Sequence, residues 1–203
     1  MLAASVALPD VMTPLPPVVL VHGAANSAGV WRFWQQKLAR RGWPAYAIDL
    51  RGRGHSGVAD LAVTTMAGSA ADVQALTWQL SRPPILIGWS TGGLVAMMVA
   101  AAGRVAACVG LAPSLPSRQV DESVPLRVGT FGPEDYGIGG SDPADQPAMP
   151  DLDREERLLA LASLGREPRL ARDERRRGIV IEDIACPLPI VTGSEDREWP
   201  PER

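Results

Sequence analysis

The segment Gly88-Trp89-Ser90-Thr91-Gly92-Gly93 joins two apolar runs, Ile85-Leu86-Ile87 and Leu94 to Ala102. The first run reads as a short buried strand, Pro84 to Gly88, and the second as an apolar helix stopped by Gly103. A turn this tight between strand and helix is strained, and glycines on either side of Ser90 let the backbones pass closely. The same alternation recurs along the chain. Val18-Val19-Leu20-Val21 is a β-branched run ending at Gly23, and Ala45-Tyr46-Ala47-Ile48 is a strand ending at Asp49. Between them, Ala28 to Arg41 places Trp31, Trp34, Leu38 and Arg41 at helical spacing, with Gly42 as C-cap. A helix over Ala67 to Leu80 and strands over Val105 to Leu111 and Leu188 to Val191 complete the pattern. Short strands alternating with longer helices predict an α/β fold: a mostly parallel sheet with helices on both faces.

From Pro113 to about Pro150 prolines and glycines crowd the chain and no period persists, and Leu152 to Arg177 then reads as helical with a break near Gly165 to Pro168. Residues 113–183 are therefore expected to form an inserted helical cap, with 1–112 and 184–203 forming the core. The arginine-rich stretch Arg166 to Arg177 is interrupted by Glu167, Asp173 and Glu174 and reads as a solvated helix face rather than a phosphate-binding patch.

A net charge of -3 gives no electrostatic reason to expect nucleic acid or an anionic membrane as partner. Met1 to Met12 lacks the basic-then-apolar order of a signal peptide, and no apolar stretch is long enough to span a bilayer. Cys108 and Cys186 are far apart and beside apolar runs, so they read as reduced thiols rather than a disulfide or metal site. The expectation is a cytoplasmic protein acting on a small molecule, with no metal or organic cofactor. Nothing in the sequence sets an oligomeric state.

A serine hydroxyl is a poor nucleophile at neutral pH and needs a base, an exposed oxygen and donors for the developing oxyanion. The glycine-flanked turn supplies the exposure for Ser90. His22-Gly23-Ala24-Ala25 follows the first strong strand, and a backbone N–H there, taken as Ala24, can join that of Thr91 to form a two-donor oxyanion hole. Asp49-Leu50-Arg51-Gly52-Arg53-Gly54-His55-Ser56 closes the next strand, and Asp196 lies in a loop after the last one, where an acid can orient a histidine. Trp89 lines the pocket or packs beneath it. Phe131, Tyr136 and Met149 are read chiefly as packing residues of the cap.

These motifs, in this order and ending in Pro189-Ile190-Val191-Thr192-Gly193-Ser194-Glu195-Asp196, resemble the α/β-hydrolase superfamily from about residue 16 onward. The resemblance implies Ser90 as nucleophile, Asp196 as triad acid, Ala24 and Thr91 as oxyanion donors, and a substrate with an ester or related acyl bond. The chain departs from the family in its histidines. The family places its catalytic histidine beyond the acid, whereas His22 and His55 both precede the nucleophile. His22 is expected to shape the oxyanion loop and His55 to hold the loop after the Asp49 strand. The expectation is then that the chain is C-terminally incomplete, its base lying beyond Arg203. A non-catalytic, hydrolase-like protein that binds a small ligand is the rival reading. A weaker one takes Gly52-x-Gly54-x-x-Gly57 as a dinucleotide fingerprint, but no helix start follows it.

Overall fold

A computed structural model describes residues 1–147 and 149–196. In chain order it contains β1 (Ala3–Ala7), β2 (Val18–Val21), α1 (Arg32–Arg40), β3 (Ala45–Asp49), α2 (Met66–Gln79), β4 (Ile85–Trp89), α3 (Thr91–Ala101) and β5 (Ala107–Leu111). The two-residue strand β6 (Thr130–Phe131), α4 (Arg154–Ala162), β7 (Glu167–Pro168), α5 (Arg169–Arg177) and β8 (Ile190–Val191) follow. The main sheet runs β1-β3-β2-β4-β5-β8 and is parallel except for β1. The mostly parallel sheet expected from the sequence is therefore present.

Alternation along β2 explains how one strand serves two layers. Val18 and Leu20 pack with Ala28, Trp31 and Ala47 on the α1 face. Val19 and Val21 point the other way, into a cluster built from Met66 and Val73 of α2 and Leu94, Val95 and Met97 of α3. A strand covered on both sides needs apolar residues at every position, as Val18–Val21 has. Helix ends follow local chemistry. Thr65 Oγ1 accepts from Gly68 N–H at 2.9 Å at the start of α2, and Asp153 with Glu156 forms a capping box on α4. Gly42 and Gly103 take the left-handed conformation (φ +86 for each) just after α1 and α3.

Some elements differ from the sequence reading. β1 was not expected; it pairs antiparallel with β3 and is stitched to it by the buried Gln35, whose Nε2 donates to Ser5 O and Ala45 O. The α5 expectation is corrected: this helix is not a solvated face. Ala171 is buried in the α2–α3 core, and the fully buried Asp173 accepts two bonds from the Arg127 guanidinium at 2.8 and 2.7 Å. Those bonds hold the Asp173 carboxyl below the usual carboxylate range. Glu174 accepts from Met66 N–H at the start of α2. An arginine fork with a buried carboxylate opposite it is a fastening, and the sequence alone does not say which carboxylate that is.

Cys108 is buried and Cys186 half-buried, both as free thiols, and burial pushes the Cys108 thiol up to about 12. Ile190 and Val191 of β8 are exposed. Among the described residues no helix is long and apolar enough to cross a membrane. Residues 197–203, the end of the expected core segment 184–203, lie outside the described residues.

Candidate active site

Ser90 caps the N-terminus of α3 with φ 54 and ψ -124, a backbone region that L residues rarely occupy. Such a conformation costs about 1–3 kcal/mol and persists only where its surroundings over-determine it. Here they do. Ser90 N–H donates to Leu111 O at 3.1 Å, while Ser90 O accepts from Gly93 N–H and Ser114 N–H, each at 3.0 Å.

The flanking glycines are dictated by neighbouring backbone. A Cβ at Gly88 would lie 2.2 Å from Gly92 O, and one at Gly92 would lie 2.3 Å from His22 O. One at Gly93 would meet Pro113 Cβ at 2.5 Å. Side chains at these positions would push the strand, the turn and the His22 loop apart, and the serine would lose its place.

The turn opens onto a cavity of about 620 Å³ whose walls include Ala24, Asn26, Trp31, Trp34, Trp89 and Ser90. Tyr136, Ile138, Met149, Leu152 and Leu164 close it from the 113–183 segment. Trp89 thus lines the cavity and also packs against the α1-side core. Tyr136 and Met149, read chiefly as packing residues, reach the cavity. Phe131 does not; it is buried against Tyr136 with the Arg172 guanidinium over its ring.

Ala24 sits beside the serine, since a Cβ on the preceding Gly23 would lie 3.3 Å from Ser90 Cβ. Thr91 is the first residue of α3, where a backbone N–H has no partner within the helix. Among the described residues, neither the Ala24 nor the Thr91 N–H donates to a backbone or side-chain acceptor. Asp196 lies in the turn after β8, its N–H donating to Gly193 O at 3.1 Å. That turn is at the same end of the parallel sheet as Ser90.

Neither histidine is aimed at the serine. His22 is buried, with Nδ1 at 2.8 Å from Gly23 O and Nε2 accepting Leu50 N–H at 3.3 Å. Nδ1 is thus used within its own loop and Nε2 by the chain leaving β3, and burial together with the nearby Arg53 charge lowers its pKa to about 4. His55 is exposed and belongs to the Asp49 loop, where its N–H donates to Asp49 Oδ2 at 2.8 Å.

That loop also shows what Gly52-x-Gly54-x-x-Gly57 does. A Cβ at Gly54 would fall 2.2 Å from Asp49 Oδ1, so the glycine lets the loop fold over this carboxylate. Asp49 in turn accepts from Ala28 N–H at 2.6 Å, at the entry to α1. The dinucleotide reading is not supported by this arrangement, because no helix opens from the loop toward a phosphate. The residues missed from sequence are Trp31, Trp34 and Asn26 as cavity wall and Ser163 behind Asn26. The tryptophan spacing was visible, but helical periodicity does not separate a cavity wall from a core face.

An alpha/beta hydrolase family model matches residues 18–203. Protein phosphatase methylesterase 1 from Mus musculus is 38% identical over 101 residues, covering 47% of this chain and 26% of that protein. The chain thus spans about a quarter of the length of that curated relative. Among solved structures, a monoacylglycerol lipase from Paleococcus ferrophilus aligns with a TM-score of 0.61 at 20% identity, covering 100% of this chain and 81% of that one. The structure reported with carboxylesterases of Nitrososphaera gargenis aligns with a TM-score of 0.67 at 16% identity, covering 96% and 77%.

Proposed function

The chain belongs to the alpha/beta hydrolase family, and from that premise we propose that it cleaves a carboxylic ester or related acyl bond with Ser90 as nucleophile. The observation that carries this is the strained Ser90 turn facing an apolar cavity beside two uncommitted backbone donors, Ala24 and Thr91. Strain at a residue with a reactive side chain, in an apolar recess beside the sheet, points to chemistry rather than packing. The ester-cleaving activity named for the mouse relative supports the ester class.

In the reaction, Ser90 Oγ attacks the substrate carbonyl carbon and gives its proton to a base. The carbonyl oxygen becomes an oxyanion and accepts hydrogen bonds from the N–H groups of Ala24 and Thr91. Collapse expels the alcohol with the returned proton, and water then releases the acid from the acyl-serine. Asp196 is assigned as the acid that orients the base. His22 does not supply that base, because both of its ring nitrogens are engaged, and the exposed His55 ring belongs to the Asp49 loop and does not line the Ser90 cavity. The cavity wall of Trp31, Trp34, Leu152 and Leu164 suits an apolar acyl or alcohol group, and the 113–183 residues above it form a cap in this reading.

The test uses an alkyl fluorophosphonate and nitrophenyl butyrate, with imidazole added as an external base. Covalent label should map to the Ser90 peptide, and imidazole should raise hydrolysis by this 203-residue chain about tenfold or more in a Ser90-dependent manner. Label elsewhere, or Ser90→Ala hydrolysing the ester as fast as the parent, would remove the assignment. The placement of His22 and His55 away from the Ser90 cavity favours one alternative, a ligand-binding protein on the same scaffold. It predicts saturable binding of an apolar ester with no label and no imidazole response.

A further inference from the structure

At the edge of the cavity, the His22–Ala28 loop is fastened to the C-terminal end of α4 by side chains that take no part in the chemistry above. Asn26 and Ser163 are both buried, at 8% and 3% exposure. Asn26 Nδ2 donates to Ala24 O at 2.9 Å, turning the amide oxygen toward Ser163, whose Oγ lies 2.9 Å away. The Ser163 hydroxyl carries one proton and also lies 2.7 Å from Ala160 O, so that proton is shared between the two acceptors. A backbone bond completes the fastening, with Gly165 N–H donating to Ala25 O at 3.0 Å.

The loop needs it. Ala25 has φ 56, a left-handed conformation that costs a non-glycine residue about 1 kcal/mol or more. The bonds at Ala24 O, Ala25 O and Asn26 fall on and around this strained residue. They therefore hold the Ala24–Ala25 peptide, which adjoins the one that carries the Ala24 N–H. The residues fastened to it, Ser163 and Gly165, lie in the segment that closes the cavity through Ala160 and Leu164.

The geometry points to Asn26 as a positioning residue for the Ala24 oxyanion donor, held in turn by Ser163, so that the cavity-closing segment and the oxyanion loop are set as one unit. This rests on the reading of Ser90 as nucleophile with Ala24 as a donor. Displacement of a preorganised donor by a fraction of an ångström weakens transition-state stabilisation far more than ground-state binding. The effect belongs in the rate of bond formation.

The experiment measures labelling of the full chain by an alkyl fluorophosphonate, separating the maximal rate kinact from the half-saturation constant KI. In this probe Ser90 Oγ forms the bond to phosphorus, fluoride leaves, the serine proton goes to solvent, and the phosphoryl oxygen occupies the oxyanion position. Asn26→Ala should lower kinact about tenfold with KI changed less than twofold. Ser163→Ala should lower it by about threefold, and Ser163→Thr, which keeps the hydroxyl, should recover most of the loss. End-point stoichiometry and thermal melting keep unfolded protein out of the comparison, and Ser163→Ala carries the test if Asn26→Ala does not fold. Equal kinact in folded variants and parent overturns the positioning role, as does a loss appearing only in KI. Failure of the parent itself to label at Ser90 overturns the nucleophile reading, and the inference falls with it.

Discussion

Two glycine-rich turns follow the parallel strands on either side of β2, at the same end of the sheet: Gly88–Gly93 after β4 and Gly52–Gly57 after β3. Their compositions are similar, and their uses are opposite. In the first, the spaces left by missing side chains are filled by backbone, Gly92 O of the turn itself and His22 O of the neighbouring loop, so the chain crosses itself closely and pushes Ser90 outward. In the second, the space at Gly54 is filled by the carboxylate of Asp49, so the loop folds inward over its own strand. What occupies the position of the absent Cβ distinguishes a turn that presents a side chain from one that buries an anchor.

The largest effect that would sharpen this contrast lies in the inward-folded loop. Arg53 forms a buried bidentate pair with Glu167, both bonds at 2.7 Å, across a separation no local motif predicts. Arg53→Met leaves a buried carboxylate unpaired and should cost about 3–5 kcal/mol in urea unfolding. Arg53→Met with Glu167→Met should recover most of that loss. A double variant as unstable as the single one would show that the pair does more than satisfy itself.

Next comes the outward turn. Gly88→Ala places a Cβ against backbone that cannot rotate away and should destabilise by about 3 kcal/mol. Gly103→Ala, where nothing lies within 4 Å and only the positive φ matters, should cost about 1 kcal/mol. Equal losses by chemical denaturation would break the claim that crossing, rather than conformation, demands Gly88.

A pH-dependent effect concerns the loop between the two turns. His22 has its pKa lowered from 6.5 to about 4 in the folded state, mainly by burial and secondarily by Arg53. Between these values the unfolded chain binds the proton and the folded one does not. Stability should therefore rise with pH through this window and fall, by at most about 3 kcal/mol, as pH drops through it. Urea midpoints from pH 7 to pH 4 should show the slope in the parent and a smaller one in His22→Gln. Identical slopes would remove His22 as the titrating group.

Much of the sheet was legible in the sequence because buried parallel strands carry a strong local signal. Val18–Val21 and Ala45–Asp49 are apolar runs ended by residues that turn the chain, and they formed where expected. The strand–turn–helix around Ser90 was legible for a related reason, since its glycines and flanking apolar runs are contiguous. β1 was not, because Ala3–Ala7 is largely exposed and has no apolar face to announce it. Trp34 was visible as part of a helical stripe, yet it is 46% exposed and lines the cavity instead of filling the core.

The chain's own letters determined the alternation of strands and helices, the glycines of the serine turn and the apolar layers, because each depends on residues a few positions apart. Tertiary structure alone decided that Arg53 meets Glu167, that Asp173 is buried against Arg127, and that Ser163 reaches Asn26. Those contacts join segments far apart in sequence. A polar side chain carries no mark of its partner until the fold brings one carboxylate or amide, among many, within reach and away from water.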